Sequence, residues 1–467
     1  MTKPNIIWFR RDLRLSDQAA VIAAASEGPV IPVYILDDET PKHRKMGGAS
    51  RWWLHHSLAS LAQRLEEKGS RLILRSGDSA EILANIARQT GAIKIHALRH
   101  YEPWWLNAES HLQGALDDEC ELVLHDGNYL QPAGAITTGS GDPYKIYTPF
   151  WKALRETMPP PEPQPVPQQI NAPNSWPDGD DLNDWELLPT KPNWATGFAE
   201  NWKPGEDGAR VNLDAFVDIA KQYDEGRNLP SEQLVSRLSP HLHFGEISPN
   251  HIWHRVTGKD PAAFKSVETY LKELVWRDYA QNVIYQCPQY GGESYREKMR
   301  DLPWRDLNDT DVQADFEAWS QGKTGYPIVD AGMRELWATG WMHNRVRMIA
   351  SSFLIKHLLI DWREGEKWFW DTLVDADYGS NTVNWQWGAG TGVDSNMFVR
   401  IMAPLTQSEK FNAGDYIRKW VPELVNLDDP YIHDPEEHGC RPNSYPTKII
   451  AHKKGRQRAL DAYAKVK

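Results

Sequence analysis

Four short stretches of the 467-residue chain concentrate side chains able to do chemistry. The run Tyr270–Val283 (YLKELVWRDYAQNV) has helical periodicity, which puts Glu273, Trp276, Arg277 and Ala280 on one face. Such a face reads as a partly buried ion pair beside a packing tryptophan. It reads equally as a pocket wall that hydrogen-bonds, stacks on and charge-pairs with one ligand. Trp341–Met348 (WMHNRVRM) groups Asn344, Arg347 and Met348, with Arg345 pointing elsewhere. Arginines near an apolar helix are ordinarily surface charges, but beside an amide and a thioether they suit a site that contacts a base edge. Val374–Asp377 (VDAD) reads as the end of a helix that leads on to Asn381, Trp385 and Trp387. Its aspartates serve as turn residues, or as anchors for Arg347 and a polar cofactor. No ligand spacing for a metal accompanies them. Ser236–Pro240 (SRLSP) carries a helix-cap signal, and a helix start with free hydroxyls and N–H groups is also an anion site.

These stretches need a scaffold. Near-continuous apolar runs at Asn5–Phe9, Pro29–Leu36, Arg71–Arg75, Ala92–Leu98 and Glu121–Leu124 suit strands buried on both faces. Helical patterns such as Trp52–Lys68 and Ala80–Thr90 separate them, so the first part reads as an α/β domain with a parallel sheet. No GxGxxG follows the first strand. From Pro159 the sequence PPPEPQPVP opens a Pro-rich stretch that excludes helix and inner strand. Helical spacing then recurs over Val211–Tyr223, Ala263–Ile284, Ile328–Gly340, Trp341–Leu359 and Glu366–Leu373. The expected organisation is an α/β domain over 1–132, a linker over 133–210 and an all-α domain over 211–467.

Composition sets bounds. Three scattered cysteines support neither a disulfide framework nor a zinc or iron–sulfur site, which points to the reducing cytoplasm. No apolar run spans a membrane and no secretory leader opens the chain. The net charge of −12 argues mildly against wholesale nucleic-acid binding but allows a local basic patch. Twenty-two tryptophans invite stacking or electron transfer as well as packing.

Taken together and in this order, the motifs resemble the photolyase/cryptochrome family along essentially the whole chain. Trp8–Arg14 (WFRRDLR), Ser236–Pro240, Glu273–Arg277 (ELVWR), Gly322–Pro327 (GKTGYP), Trp341–Met348, Asp361–Glu366 (DWREGE) and Trp385–Trp387 (WQW) carry the resemblance. It implies FAD held by the helical domain and light-driven repair of cyclobutane pyrimidine dimers flipped out of DNA, most like the bacterial enzymes. It implies that Tyr223 and the stretch Val235, Ser236, Arg237, Leu238 and Ser239 hold the diphosphate, although the family often has Thr at the position of Val235. Arg277, Asn344, Arg347, Asp375, Asp377 and Asn381 would surround the rest of the cofactor, with Asn381 facing the flavin. Trp276 and Trp387 would clasp the lesion by stacking, Glu273 and Asn344 would bond its edges, and Met348 would pack on it. Glu273 is expected to share a proton with the electron-bearing lesion. Arg227, Arg277, Arg345, Arg400 and Gln407 would contact the DNA backbone. Trp385, Trp362 and Trp304 would form the electron path to the surface.

For an antenna chromophore near Met46, Arg51 and Glu102 the resemblance leaves methenyltetrahydrofolate, a deazaflavin, FMN or none at all open, with the folate slightly preferred. The resemblance leaves two competitors. A cryptochrome photoreceptor would share fold and FAD, but Asn381 and the substrate set speak for repair. A (6-4) photolyase would be expected to carry a histidine pair near 343–344, where only His343 is present. Ser395–Phe398 and Met402–Leu405 depart from the common repair pattern. The protein is expected to act as a monomer on damaged DNA.

Overall fold

The five apolar runs pair into one parallel sheet of order β3-β2-β1-β4-β5. The strands are β1 (Asn5–Phe9), β2 (Val30–Leu36), β3 (Ile73–Ser76), β4 (Lys94–Leu98) and β5 (Glu121–His125). Every residue of β1 and β2 is buried, as strands covered on both faces require. Helices α1 (Ala19–Glu27), α2 (Gly48–Glu67), α3 (Ser79–Thr90) and α4 (Pro103–Ala115) make the crossovers. Asp78 caps α3 by accepting from the Glu81 N–H, and Gly91 ends it in the left-handed conformation.

The computed structural model describes residues 3–258, 263–395 and 400–466. Packing divides the chain into two units. The first joins Met1–Trp194, Trp202–Ala220 and Ser236–Pro288; the second joins Ala195–Asn201, Lys221–Val235 and Gln289–Lys467. These limits differ from the segments 1–132, 133–210 and 211–467, because composition marks where the chain changes character, not which surfaces meet. The long helix Ala263–Gln286 packs with the sheet-bearing unit although its sequence is helical like that of the second. The range 133–210 also contains α5 (Tyr147–Arg155) and the start of the helix Glu206–Ile219. Its Pro-rich part lies along the sheet-bearing unit, where Asp17, Val30 and Asp180 donate backbone N–H groups to Gln164, Asn171 and Leu74.

In the second unit, helices Pro327–Thr339, Asn344–Ser352, Trp362–Thr372 and Tyr378–Ala389 surround one core containing Trp319, Phe353, Trp362, Phe369 and Trp385. The sequence suggested one helix over Trp341–Leu359. Instead, Gly340 ends the preceding helix at φ +68°, and His343 starts a new one at Asn344. That helix gives way to a π-turn over Phe353–His357. Likewise Asp375 and Asp377 follow the helix that ends at Thr372 rather than belonging to it. Among the described residues, no helix is long and apolar enough to cross a membrane.

The helix Ala263–Gln286 is tied to the loop after β5 by successive side chains. Arg277 donates to the Asn128 carbonyl at 2.6 Å, Asp278 accepts from the Gln131 N–H at 3.0 Å, and Asn282 accepts from the Gly134 N–H at 2.8 Å. Burial pushes the Asp278 carboxyl up to about 7 from 3.8, against the pull of Arg277. Folded protein therefore keeps this proton between pH values where unfolded chain has lost it, and stability falls as pH rises through that window. Asp278→Asn removes the ionisation. The melting temperature of the wild type should drop relative to this variant as pH rises from about 4 to about 7, with the difference constant outside that window. Parallel pH profiles of thermal unfolding would refute the assignment.

Candidate functional site

In the first unit, the turn Ser236–Ser239 is held by buried polar groups. Ser236 accepts from the Leu238 N–H at 3.3 Å, and Arg237 adopts φ +51° with its guanidinium 4.2 Å from the Trp202 ring. A non-glycine residue there is a strained conformation that needs outside support. Behind it His241 pairs with Glu246 at 2.5 Å, Glu246 accepts from Trp53 at 2.9 Å, and Asn212 meets the far nitrogen of His241 at 3.2 Å. The cap expected from a serine before proline is not formed. The helix begins at Ser239 itself, with Leu238 in the cap position.

Glu273, Trp276 and Arg277 are half-buried on the long helix, as its periodicity predicted. Arg277, however, spends its donors on the Asn128 and Leu242 carbonyls and lies 4.3 Å over Tyr129. These bonds tie the long helix to the loop after β5 and to the helix Ser239–His243.

In the second unit the motif residues converge. Arg347 forms a two-pronged ion pair with Asp375 at 3.0 and 2.9 Å and donates to the Met342 carbonyl at 2.7 Å. Asp377 caps the next helix through the Ser380 N–H. One helical turn on, Asn381 donates to the Glu366 carboxylate at 2.8 Å and the Glu366 carbonyl at 3.1 Å. The Asn381 amide is therefore oriented by its nitrogen, which leaves its carbonyl oxygen as the group for a ligand. Asn344, at the first position of its helix, is exposed. Tyr223 lies half-buried, with Arg227 over its ring at 5.5 Å.

The WQW motif separates three tasks. Trp385 is buried in the core. Gln386 donates to the Tyr290 and Glu293 carbonyls and accepts from Tyr295. Trp387 lines a cavity of about 490 Å³ together with Arg345, Met348, Arg400 and Gln407. Five residues singled out for substrate contact thus share one wall. Ile401, Met402, Ala403, Thr406, Lys410 and Phe411 complete it, and of these the sequence had flagged only Met402 and Ala403, as departures from the family pattern. Residues 396–398 of that departure lie outside the described residues. Arg345 bonds the neutral Asn228 rather than a carboxylate and stacks over Phe411 at 4.5 Å. Burial and the charges of Arg227 and Arg400 hold it below the ordinary guanidinium value. A cluster of cations of this kind favours an anion.

Tryptophans run outward from this region. Trp385 fits against the helix Trp362–Thr372 because position 365 is glycine; a Cβ there would lie 2.2 Å from its ring. Trp362 is fully buried, and Trp304 packs half-buried on the same core. The Arg305 N–H to Leu359 carbonyl bond, at 2.9 Å, sets Trp304 beside the chain that enters Trp362. A second line leaves Trp385 through Trp319 at 6.4 Å, Phe316 at 5.7 Å, Trp368 at 6.2 Å and Trp337 at 6.2 Å. Trp337 is 52% exposed. Sequence reading missed this line, since its rings belong to three helices and no motif.

Trp337 and Trp368, inclined by only 15°, also wall a cavity of about 1160 Å³ with Phe316, Met333, Asn308, Gln313 and Lys323. The expected antenna residues lie elsewhere. Glu102 is fully buried in an ion pair with Arg11, and Arg51 pairs with Asp38 and donates to the Met46 carbonyl. These contacts close that loop on itself. Among the described residues no group of three metal-ligating side chains occurs.

Residues 270–465 match the family described as FAD binding domain of DNA photolyase, and residues 5–168 match DNA photolyase. A deoxyribodipyrimidine photo-lyase of Agrobacterium fabrum is 47% identical, over 100% of this chain and 98% of its own length. Cryptochrome-2 of Arabidopsis thaliana is 36% identical over 93% of this chain and 73% of its own. The crystal structure of a bacterial class III photolyase from Agrobacterium tumefaciens superposes with a TM-score of 0.93 at 46% identity, covering 100% of this chain and 98% of that one.

Proposed function

The chain belongs to the DNA photolyase family, to which cryptochromes are related, and from that premise we propose that it repairs cyclobutane pyrimidine dimers in DNA by light-driven electron transfer. The observation that carries the substrate reading is the cavity in which Trp387 and Met348 meet the cations Arg345 and Arg400. An aromatic and thioether wall suits a flipped pyrimidine dimer, and arginines that have no carboxylate partner among the described residues suit phosphate. Trp276 offers a stacking face in the first unit, and Glu273 and Asn344 offer hydrogen bonds to the lesion's edges. A damaged pair costs less to flip than an intact one, and stacking on indole offsets about 1–3 kcal/mol per base.

The donor sets fit FAD. Tyr223 and Val235–Ser239 offer hydroxyl and backbone groups for a diphosphate, and Arg347, Asp375, Asp377 and Asn381 offer a fixed array for the ring system. When bound, reduced FAD supplies the photoexcited electron that opens the cyclobutane ring. The chain's own part is orientation. Glu366 aims the Asn381 carbonyl, and Asp375 with the Met342 carbonyl immobilises Arg347. A (6-4) reading asks for a second histidine where this chain has Asn344. His343 itself is a neutral helix cap, held down to about 4 by burial and by Arg347. We take the enzyme to work as a monomer in the cytoplasm.

Two oligonucleotides, one with a cyclobutane dimer and one with a (6-4) product, test the substrate. Blue light should restore the first and leave the second. Repair of neither by FAD-loaded protein would favour a photoreceptor role.

Both lines of rings start at Trp385. Trp385→Phe should therefore abolish photoreduction of oxidised FAD, whereas Trp362→Phe should slow it and leave a residual route through Trp319. Repair by pre-reduced enzyme should survive in both. Equal photoreduction in Trp385→Phe and wild type would exclude this path.

For the antenna we turn to the cavity at Trp337 and Trp368 rather than to Met46, Arg51 and Glu102. Near-parallel indoles suit a flat heteroaromatic, amide groups suit its edge, and Lys323 suits an acidic tail, which together favour a folate over a deazaflavin or FMN. Trp337→Ala with Trp368→Ala should remove non-flavin absorbance from purified protein while FAD content stays. Retention of that absorbance would place the chromophore elsewhere.

A further inference from the structure

Trp276 does not stand alone. The Tyr147 ring, from α5, lies flat on its indole with centroids 3.4 Å apart and 4° between planes. Tyr279 closes the edge of this pair, 5.5 Å from Trp276 and 5.7 Å from Tyr147, nearly perpendicular to both. Two hydroxyls lock the arrangement. Tyr147 donates to the Lys272 carbonyl at 2.8 Å, one turn before Trp276, and Tyr279 donates to the Lys145 carbonyl at 2.9 Å, two residues before Tyr147. The two segments hold each other reciprocally. Tyr147 and Tyr279 are buried and Trp276 is half-buried, and among the described residues no other ring packs on Trp276.

An indole has two faces. One is taken here by a phenol fixed both by stacking and by a hydrogen bond to the same helix. The plane of Trp276 is thereby set before any ligand arrives, and only its opposite face is left for stacking. We propose that Tyr147 is a positioning residue for lesion recognition, backing Trp276 so that a single, immobile indole face meets the flipped dimer. The proposal rests on the reading of Trp276 as a stacking partner of the lesion. A ring already immobilised loses little freedom when a base stacks on it, so the backing ring strengthens binding without touching the ligand. Undamaged duplex, held through its phosphates, gains nothing from it.

The test uses FAD-loaded protein in the dark, with binding to a dimer-containing oligonucleotide and to the same sequence undamaged. Tyr147→Ala should weaken lesion binding by about five- to tenfold, while affinity for undamaged DNA and FAD content stay unchanged. Tyr147→Phe keeps the ring and should stay within about twofold of wild type. Combined with Trp276→Ala, Tyr147→Ala should add less than about twofold to the loss from Trp276→Ala alone. If Tyr147→Ala does not fold, as loss of FAD would report, Tyr147→Leu replaces it with the same expectations. Unchanged discrimination in Tyr147→Ala beside a clear loss in Trp276→Ala overturns the positioning role, as do additive losses in the double variant. Intact lesion binding in Trp276→Ala would instead remove the stacking reading itself, and the proposal with it.

Discussion

Where three helices begin decides where the side chains of the second unit point. His343 accepts from the Arg345 N–H, Asp361 from the Arg363 N–H, and Asp377 from the Ser380 N–H. Each cap contributes about 1 kcal/mol, but its larger effect is register. A start displaced by one residue rotates every later side chain by roughly a quarter turn or more. From the first cap follow Arg345, Arg347 and Met348; from the second Trp362, Gly365 and Glu366; from the third Asn381, Trp385 and Trp387. The bond from Asn381 to Glu366 and the seat of Trp385 on Gly365 exist only when the second and third registers agree. His343 can cap because burial keeps it neutral, so one ring nitrogen remains an acceptor.

The first unit solves a different problem. Open parallel sheets bind ligands where the strand order reverses, here beyond the ends of β1 and β4. In this chain that crevice is filled by its own charges. Arg11 pairs with Glu102, Arg10 with Glu109 at 2.7 Å, and burial pushes His100, next to Asp12, down to about 3. Gly245, at φ +64°, allows a second segment to reach the same place, since a Cβ there would lie 2.3 Å from the Arg11 carbonyl oxygen. The sheet end is thus a packing surface. This is the physical reason that Arg10 and Arg11 of the Trp8–Arg14 signature and Glu102 are buried in ion pairs.

Sequence periodicity made legible what is local. The five strands, the face of Glu273 and Trp276, and the grouping of Arg347 with Asp375 follow from spacing and side-chain type. What it could not supply depends on partners distant in the chain. Tyr147 sits in a stretch read as linker, and nothing in its neighbourhood announces that its ring covers Trp276. Nothing near Arg277 in sequence announces its bonds to the Asn128 and Leu242 carbonyls. Ser239 looks like a cap until the turn at Arg237 moves the helix start onto it. The Trp319–Trp337 line was invisible for a simpler reason: each of its rings has a sufficient role in packing when read alone.

Electrostatics sets how an acidic chain can address DNA on the proposed reading. With a net charge of −12, the surface as a whole repels a polyanion. Arg227 and Arg400 lie close enough to Arg345 to lower its proton affinity, and its partner Asn228 neutralises nothing. Buried Lys356, pushed down to about 7 by burial and by Arg400, donates to the Arg400 carbonyl behind this wall. Arg227, Arg345 and Arg400 thus gather positive charge beside this cavity in a chain that is acidic overall. Few phosphates can then be engaged at once, so non-specific binding stays weak and its salt dependence shallow. Affinity must come from what enters the cavity, and undamaged bases cost more to flip in than a damaged, poorly stacked dimer. On this reading, overall acidity sharpens discrimination instead of merely weakening binding.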